Sequence, residues 1–136
     1  MQLWDLDSGR REARLDSPGS AEPECLQSTP DGTRIVSGDT DNAVRIWDAA
    51  SGRLLRSLLG HISPVKALAI TSDGRTLASA SADGTCRLWS LATGREFMTF
   101  SRGQAFTQLA FLPAGDRLVG LTTTGQLWLW AAKPSL

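Results

Sequence analysis

The chain is poor in the residues that most often carry catalysis or metal binding. Among its 136 residues there are one histidine, His61, and two cysteines, Cys25 and Cys86. The cysteines occupy non-equivalent positions and form no CxxC spacing, so a zinc site or a disulfide framework has no sequence basis, and both read as free, reduced, core-type thiols. Net charge is absent as well. Fourteen basic residues balance fourteen acidic ones, and only Lys66 and Lys133 among the basic residues are lysine. A balanced chain has no broad field for nucleic acid or an anionic membrane surface. No apolar run approaches the roughly 18–20 residues of a membrane-spanning helix. The N-terminus carries no leader pattern. No GxxxxGK[ST] or GxGxxG occurs. These absences lead to the expectation of a cytoplasmic (or nuclear) protein with no cofactor, no metal, no nucleic acid and no membrane partner.

What the chain does have is tryptophan, and it is periodic. Trp4, Trp47, Trp89 and Trp130 are separated by 43, 42 and 41 residues. Three families of turns keep the same phase. Asp7-Ser8-Gly9, Ala50-Ser51-Gly52 and Ala92-Thr93-Gly94 follow the first three tryptophans. Pro30-Asp31-Gly32, Ser72-Asp73-Gly74 and Pro113-Ala114-Gly115 form a second family. Asp41-Asn42, Asp83-Gly84 and Thr124-Gly125 precede the later tryptophans. Such internal periodicity governs the fold before any local propensity does.

The segments between turns are short and rich in Val, Ile, Leu and Thr, as strands are. Arg34–Ser37, Ala43–Trp47, Val65–Ile70 and Thr76–Ser79 are apolar or small on both faces, which suits small sheets packed between neighbouring sheets. Arg53–Leu58 mixes charge with leucine, as an exposed edge strand does. No segment combines helical period with caps. The fold class is therefore all-β, with about four strands per repeat.

A unit of about 40–45 residues with four strands and a Gly-His … Trp-Asp signature resembles the WD40 repeat of β-propellers. The fullest copy reads Gly60-His61-Ile62-Ser63-Pro64-Val65, Thr71-Ser72-Asp73-Gly74, Ser79-Ala80-Ser81-Ala82-Asp83-Gly84-Thr85 and Arg87-Leu88-Trp89-Ser90. Trp47-Asp48 and Trp4-Asp5 keep the closing dipeptide. The resemblance spans residues 1–132. It implies a buried hydrogen-bond network of His61, Ser79, Asp83 and Trp89, with Ser81 an alternative to Ser79. A buried indole N–H needs an acceptor, and a hydroxyl and an imidazole can relay to a carboxylate. The neighbouring copies depart from this pattern. Ser37, Asp41 and Trp47 match in one, but Gly19 stands at the histidine position. In the last copy Trp130 remains while Arg102, Gly120 and Thr124 fill the other places. The blade at 60–101 is expected to be the most rigid.

The expected organisation is the last two strands of a truncated blade at 1–16, blades at 17–59 and 60–101, and a last blade at 102–136 lacking its outer strand. That makes about three blades, whereas a closed propeller takes roughly four to eight. Three explanations stand open: a portion of a longer propeller, a ring completed by a second copy or another protein, or an open stack of sheets.

His61 has a second reading as a general base or metal ligand. A Ser/His/Asp set is formally present, but its members are those of the network, and a triad needs an exposed nucleophile beside an oxyanion site. Asp39-Thr40-Asp41-Asn42 lacks the glycine and distal glutamate of a calcium loop. Trp128 breaks the tryptophan period and is a candidate exposed or end-face residue. The resemblance implies a non-catalytic protein–protein interaction scaffold, part of a larger propeller. Partners would dock on the face built from loops entering blades and turns between second and third strands. Candidate contacts there are Ser63, Val65, Arg102, Gln104 and Asp39. The alternative is a regulatory or sensor propeller segment of a multidomain signalling ATPase or kinase. Fold alone does not decide between them.

Overall fold

The computed structural model describes residues 1–4 and 6–131, without the side chains of residues 12 and 13. Asp5 of the first Trp-Asp pair and residues 132–136 of the last expected segment lie outside the described residues. Thirteen strands form among the described residues, with no helix. They are β1 (Gln2–Trp4), β2 (Arg11–Arg14), β3 (Pro23–Ser28), β4 (Arg34–Asp39), β5 (Val44–Asp48), β6 (Leu54–Leu58), β7 (Val65–Ile70), β8 (Thr76–Ser81), β9 (Thr85–Ser90), β10 (Glu96–Ser101), β11 (Phe106–Phe111), β12 (Arg117–Thr122) and β13 (Leu127–Ala131). Each pairs antiparallel with its neighbour in sequence. The result is a two-stranded sheet β1-β2, two four-stranded meanders β3-β4-β5-β6 and β7-β8-β9-β10, and a three-stranded sheet β11-β12-β13.

Turn chemistry explains the meanders. Asn42, Gly84 and Gly125 sit at one repeat position with φ of 75°, 82° and 83°. Glycine adopts that left-handed conformation freely, and asparagine is the residue that best tolerates it. At the β3–β4 and β7–β8 turns, Asp31 and Asp73 each accept a hydroxyl hydrogen bond, from Thr29 at 2.7 Å and Thr71 at 2.6 Å. They also accept the backbone N–H of Thr33 and Arg75. These are local turn-locking bonds of the kind short acidic side chains make.

Sheets pack face to face through the innermost strands β3, β7 and β11. One buried cluster joins the second and third sheets and contains Val36, Val44, Ile46 and Leu58 against Val65, Leu68, Leu77, Trp89 and Leu91. Two further clusters join the third sheet to the last through Ala69, Ala78, Ala80, Cys86, Phe106 and Leu118. The approach is close enough to require glycine at Gly38. A Cβ there would lie 2.5 Å from Val65 Cγ1 and 2.7 Å from Cys25 Sγ. The sheets form an arc that does not close into a ring.

Candidate functional site

The only histidine is placed by the loop entering the third sheet, and the residues it meets lie on β8, the β8–β9 turn and the first residue of β9, Thr85, whose hydroxyl oxygen lies 3.2 Å from Nδ1. His61 Nε2 lies 2.8 Å from Ser79 Oγ, and Nδ1 lies 3.3 Å from Asp83 Oδ2. Trp89 Nε1 donates to the same Ser79 oxygen at 2.8 Å. An ionised carboxylate only accepts, so Nδ1 carries the proton. Nε2 then accepts the Ser79 hydroxyl hydrogen, and the hydroxyl oxygen accepts the indole N–H. The Nδ1 proton is shared between Asp83 Oδ2 and the Thr85 hydroxyl oxygen, which itself donates to Asp83. Ser81 plays a different part. Its hydroxyl donates to the Ser63 carbonyl at 2.8 Å and accepts the Asp83 N–H at 3.1 Å.

Burial lowers the His61 pKa from its ordinary value against the pull of the Asp83 carboxylate, so imidazole stays neutral. Burial opposes ionisation of Asp83 too. Hydrogen bonds from the Thr85 hydroxyl and from the Ile62 and Thr85 N–H groups overcome it and hold the carboxyl at about 2. Ser79 is fully buried inside a sheet. Its proton is committed to His61 and its oxygen to Trp89, which is the geometry of a structural tie and leaves no open approach for a substrate.

The equivalent positions of the other sheets are solved differently. Trp47 Nε1 donates to Ser37 Oγ at 3.0 Å, as in the third sheet. With no histidine present, Arg45 turns inward. It bonds Asp41 through two nitrogens at 2.9 and 2.6 Å and pairs with Asp39. Its repeat equivalent, Arg87, turns out to Glu96 at 2.7 Å instead. In the last sheet Gly120 replaces the serine. Phe106 and Trp130 close over it so tightly that a Cβ would lie 2.7 Å from Phe106 Cδ1 and 3.0 Å from Trp130 Cζ3. Packing stands in for the hydrogen bond, and Trp130 Nε1 is buried with no partner among the described residues.

On the face that carries the histidine loop, each innermost strand begins with a one-residue bulge. The register slips at Glu24 in β3, at Lys66 in β7 and at Thr107 in β11. Bulges re-aim side chains out of the pleat. Glu24 and Lys66 meet across the joint between sheets at 2.9 Å. Ile62, in the loop entering the third sheet, is 80% exposed, while its N–H is pinned to the buried Asp83 carboxylate at 3.1 Å. Gln104 accepts the Thr124 hydroxyl at 2.9 Å, and Arg102 lies 5.1 Å above the Trp128 ring.

Two of the five candidate contact residues do not reach this surface. Val65 is buried in the joint with the second sheet, and Asp39 is buried against Arg45. Alternation turns Val65 into the joint with the second sheet, and it turns Asp39 to the opposite face of β4 from Val36 and Gly38, toward Arg45. Ser63 and Gln104 are half-buried and Arg102 is exposed. Trp128 is likewise no end-face residue. It lies on the same strand face as Trp130, packed against Ala67, Ala80 and Phe106, and the outward face of β13 belongs to Leu127 and Leu129. Ile62, Glu24, Lys66 and Thr107 were not singled out from the sequence. The repeat phase could have located the three bulges, which sit 42 and 41 residues apart.

Residues 15–48 and 52–90 match the family model described as WD domain, G-beta repeat. The chain belongs to the WD40 repeat family. It is 34% identical over 55 residues to WD repeat, SAM and U-box domain-containing protein 1 of Danio rerio, covering 40% of this chain and 11% of that protein. It is 31% identical over 91 residues to mitochondrial division protein 1 of Chaetomium globosum, covering 50% and 14%. A 41-residue stretch is 49% identical to F-box/WD repeat-containing protein 7 of Drosophila melanogaster, covering 30% and 3%. Among solved structures, U3-55K matches with a TM-score of 0.81 at 28% identity, over 86% of this chain and 38% of that one. The Cps50 (Swd1) β-propeller domain of Myceliophteria thermophila matches with a TM-score of 0.77 at 22% identity, over 89% and 39%. The chain thus spans a small part of these curated relatives and under two fifths of these propellers.

Proposed function

We propose that the chain is a non-catalytic protein-binding scaffold and that its arc forms part of a larger propeller. The observation that carries the binding reading is the row of bulges at Glu24, Lys66 and Thr107. Three successive sheets aim one polar side chain each from the same level of the same face. Ile62 adds an apolar contact held by a backbone hydrogen bond to a buried carboxylate. Rigid loops on a rigid frame limit the entropy lost on docking. Such a surface fits an extended or loop segment of another protein, with the apolar anchor surrounded by polar groups. Ser63, Arg102 and Gln104 flank it and remain candidate contacts.

Comparative pull-down from cell extract tests this, using wild type, Ile62→Asp with Lys66→Glu, and Arg34→Ala on the opposite face. Partners lost by the first variant and kept by the second are the expected result. An unchanged partner list, from variants with native circular dichroism, would refute the binding face. A second reading is a regulatory or sensor segment of a multidomain signalling ATPase or kinase. The names of the Danio and Drosophila relatives join WD repeats to SAM, U-box or F-box domains, which supports the multidomain arrangement alone.

A further inference from the structure

A groove of about 280 Å³ begins at the row of bulges and runs between the innermost strands β3, β7 and β11. Residues 25–27, 66–68 and 107–109 line it, so Lys66 and Thr107 belong to both the bulges and the groove. It lies between neighbouring sheets inside the arc, not at either end of it. Propeller blades stand around a central channel, so this side of the arc stays open when blades are added. The groove carries one full charge, and that charge is positive. Lys66 is the only ionised residue in its walls, and none of them is a carboxylate. Burial pushes the Cys25 thiol up to about 12, so it stays neutral. Glu24 lies 2.9 Å from Lys66 but outside the walls. Asp39, whose charge is also felt at Cys25, is committed to Arg45. The exposed amides of Gln27 and Gln108 bring further N–H donors from the two flanking strands. Thr107 adds no donor, because its hydroxyl hydrogen goes to the Leu121 carbonyl at 3.2 Å.

We infer that this groove receives an acidic side chain, aspartate or glutamate, from the docked segment of a partner protein, and that the incoming carboxylate displaces Glu24 from Lys66. The inference rests on reading this face as the binding face, and it names the chemistry of the partner. An ionised carboxylate only accepts hydrogen bonds, and an ammonium only donates them. A basic side chain in the same place would meet Lys66 as a like charge, which selects against it. Exchange of one carboxylate for another costs little. The Lys66 and Glu24 side chains are 37% and 34% exposed, and solvent-accessible ion pairs add little stability. The lysine stem is flexible enough to follow the new partner. Within the groove the ammonium is screened less than at its rim. Ile62 then supplies the apolar contact of the face and Lys66 its charge selection, so the matching segment pairs an apolar residue with an acidic one.

Panning a display library of random peptides against the 136-residue chain tests the inference, with recovered peptides titrated against wild type and variants by fluorescence anisotropy. The recovered peptides are expected to share an aspartate or glutamate at one fixed position. Replacing that residue with its amide should weaken binding to wild type about tenfold. Lys66→Gln should weaken the acidic peptide by the same factor, and the two changes together should cost no more than either alone. Glu24→Gln should tighten binding, because it frees the ammonium, and a misfolded variant does not give tighter binding. Peptides without a shared acid would overturn the inference. So would an affinity unchanged by Lys66→Gln, or one weakened by Glu24→Gln. Peptides released by Ile62→Asp yet indifferent to Lys66→Gln keep the binding face and overturn the acidic partner. A library that yields no binder also overturns the inference, and the pull-down then judges the binding face on its own.

Discussion

Ser79 holds two buried groups with one hydroxyl, so Ser79→Ala should cost far more than a single serine usually does. The substitution leaves Trp89 Nε1 without its acceptor at 2.8 Å and His61 Nε2 without its donor at 2.8 Å. Serine and tryptophan are fully buried and the histidine ring nearly so. Leaving a buried donor or acceptor unmade costs about 1–3 kcal/mol per group, so the pair sums to about 2–6 kcal/mol. Ser37→Ala is the internal reference. There a single indole bond to Trp47, at 3.0 Å, is lost, and the expected cost is about 1–3 kcal/mol. Urea unfolding of both variants, followed by tryptophan fluorescence and backbone circular dichroism, gives the difference in midpoint at common slope. The indole N–H resonances of Trp89 and Trp47 should each shift in the matching variant only. If Ser79→Ala costs no more than Ser37→Ala, the shared-hydroxyl reasoning is wrong.

Three further outcomes follow from the same geometry. Because burial lowers the His61 pKa below its ordinary 6.5, the unfolded state binds a proton first as pH falls. Stability is therefore full above about 6.5 and declines as pH drops through the folded value, and His61→Gln should flatten that part of the urea-midpoint profile. Asp83, held at about 2, adds a separate loss between its ordinary 3.8 and that value. Arg45→Met leaves Asp39 buried without its cation and should destabilise by about 3–5 kcal/mol in thermal or urea unfolding, whereas Arg87→Met, with Glu96 near solvent, should cost under about 1 kcal/mol. In hydrogen exchange, amides of β8 and β9 should be the slowest and those of β1 and β2 the fastest, since the third sheet is covered on both faces and the first lacks two strands.

The sequence was most legible where one residue type answers one physical need. Thirteen strands, their sheet membership and the turn glycines followed from phase, because a turn in the left-handed region needs glycine or asparagine wherever it recurs. The His61, Ser79, Asp83 and Trp89 positions could be named from motif resemblance and lie together in the structure. The surface was less legible. Val65 and Asp39 sit next to loop residues in sequence, and position near a loop says little about which way a strand end turns its side chain. Alternation puts Val65 of β7 into the joint between the sheets and Asp39 of β4 against Arg45 on the other face. The bulges at Glu24, Lys66 and Thr107 left no mark in composition, since a slip in register is decided by the partner strand. Arg45 was invisible for another reason. Its role depends on the absence of a histidine elsewhere in the same repeat.

That absence shows what the tie between loop and sheet is for. The third sheet joins its entering loop to the β8–β9 turn through an imidazole, a hydroxyl and a carboxylate. The second has no imidazole, and its turn is instead held to β5 by a guanidinium between two carboxylates. The last has neither serine nor histidine, and there Thr124 reaches Gln104 in the entering loop at 2.9 Å while Phe106 packs against Trp130 over Gly120. All three keep the same three-strand order and the same tryptophan register. The fold therefore rests on the apolar joints between sheets, and the polar ties act locally, fixing the loops beside them. Loop rigidity should then differ from sheet to sheet while sheet packing does not. Ile62, attached to the fullest of the three ties, stands on the best-held loop of the arc.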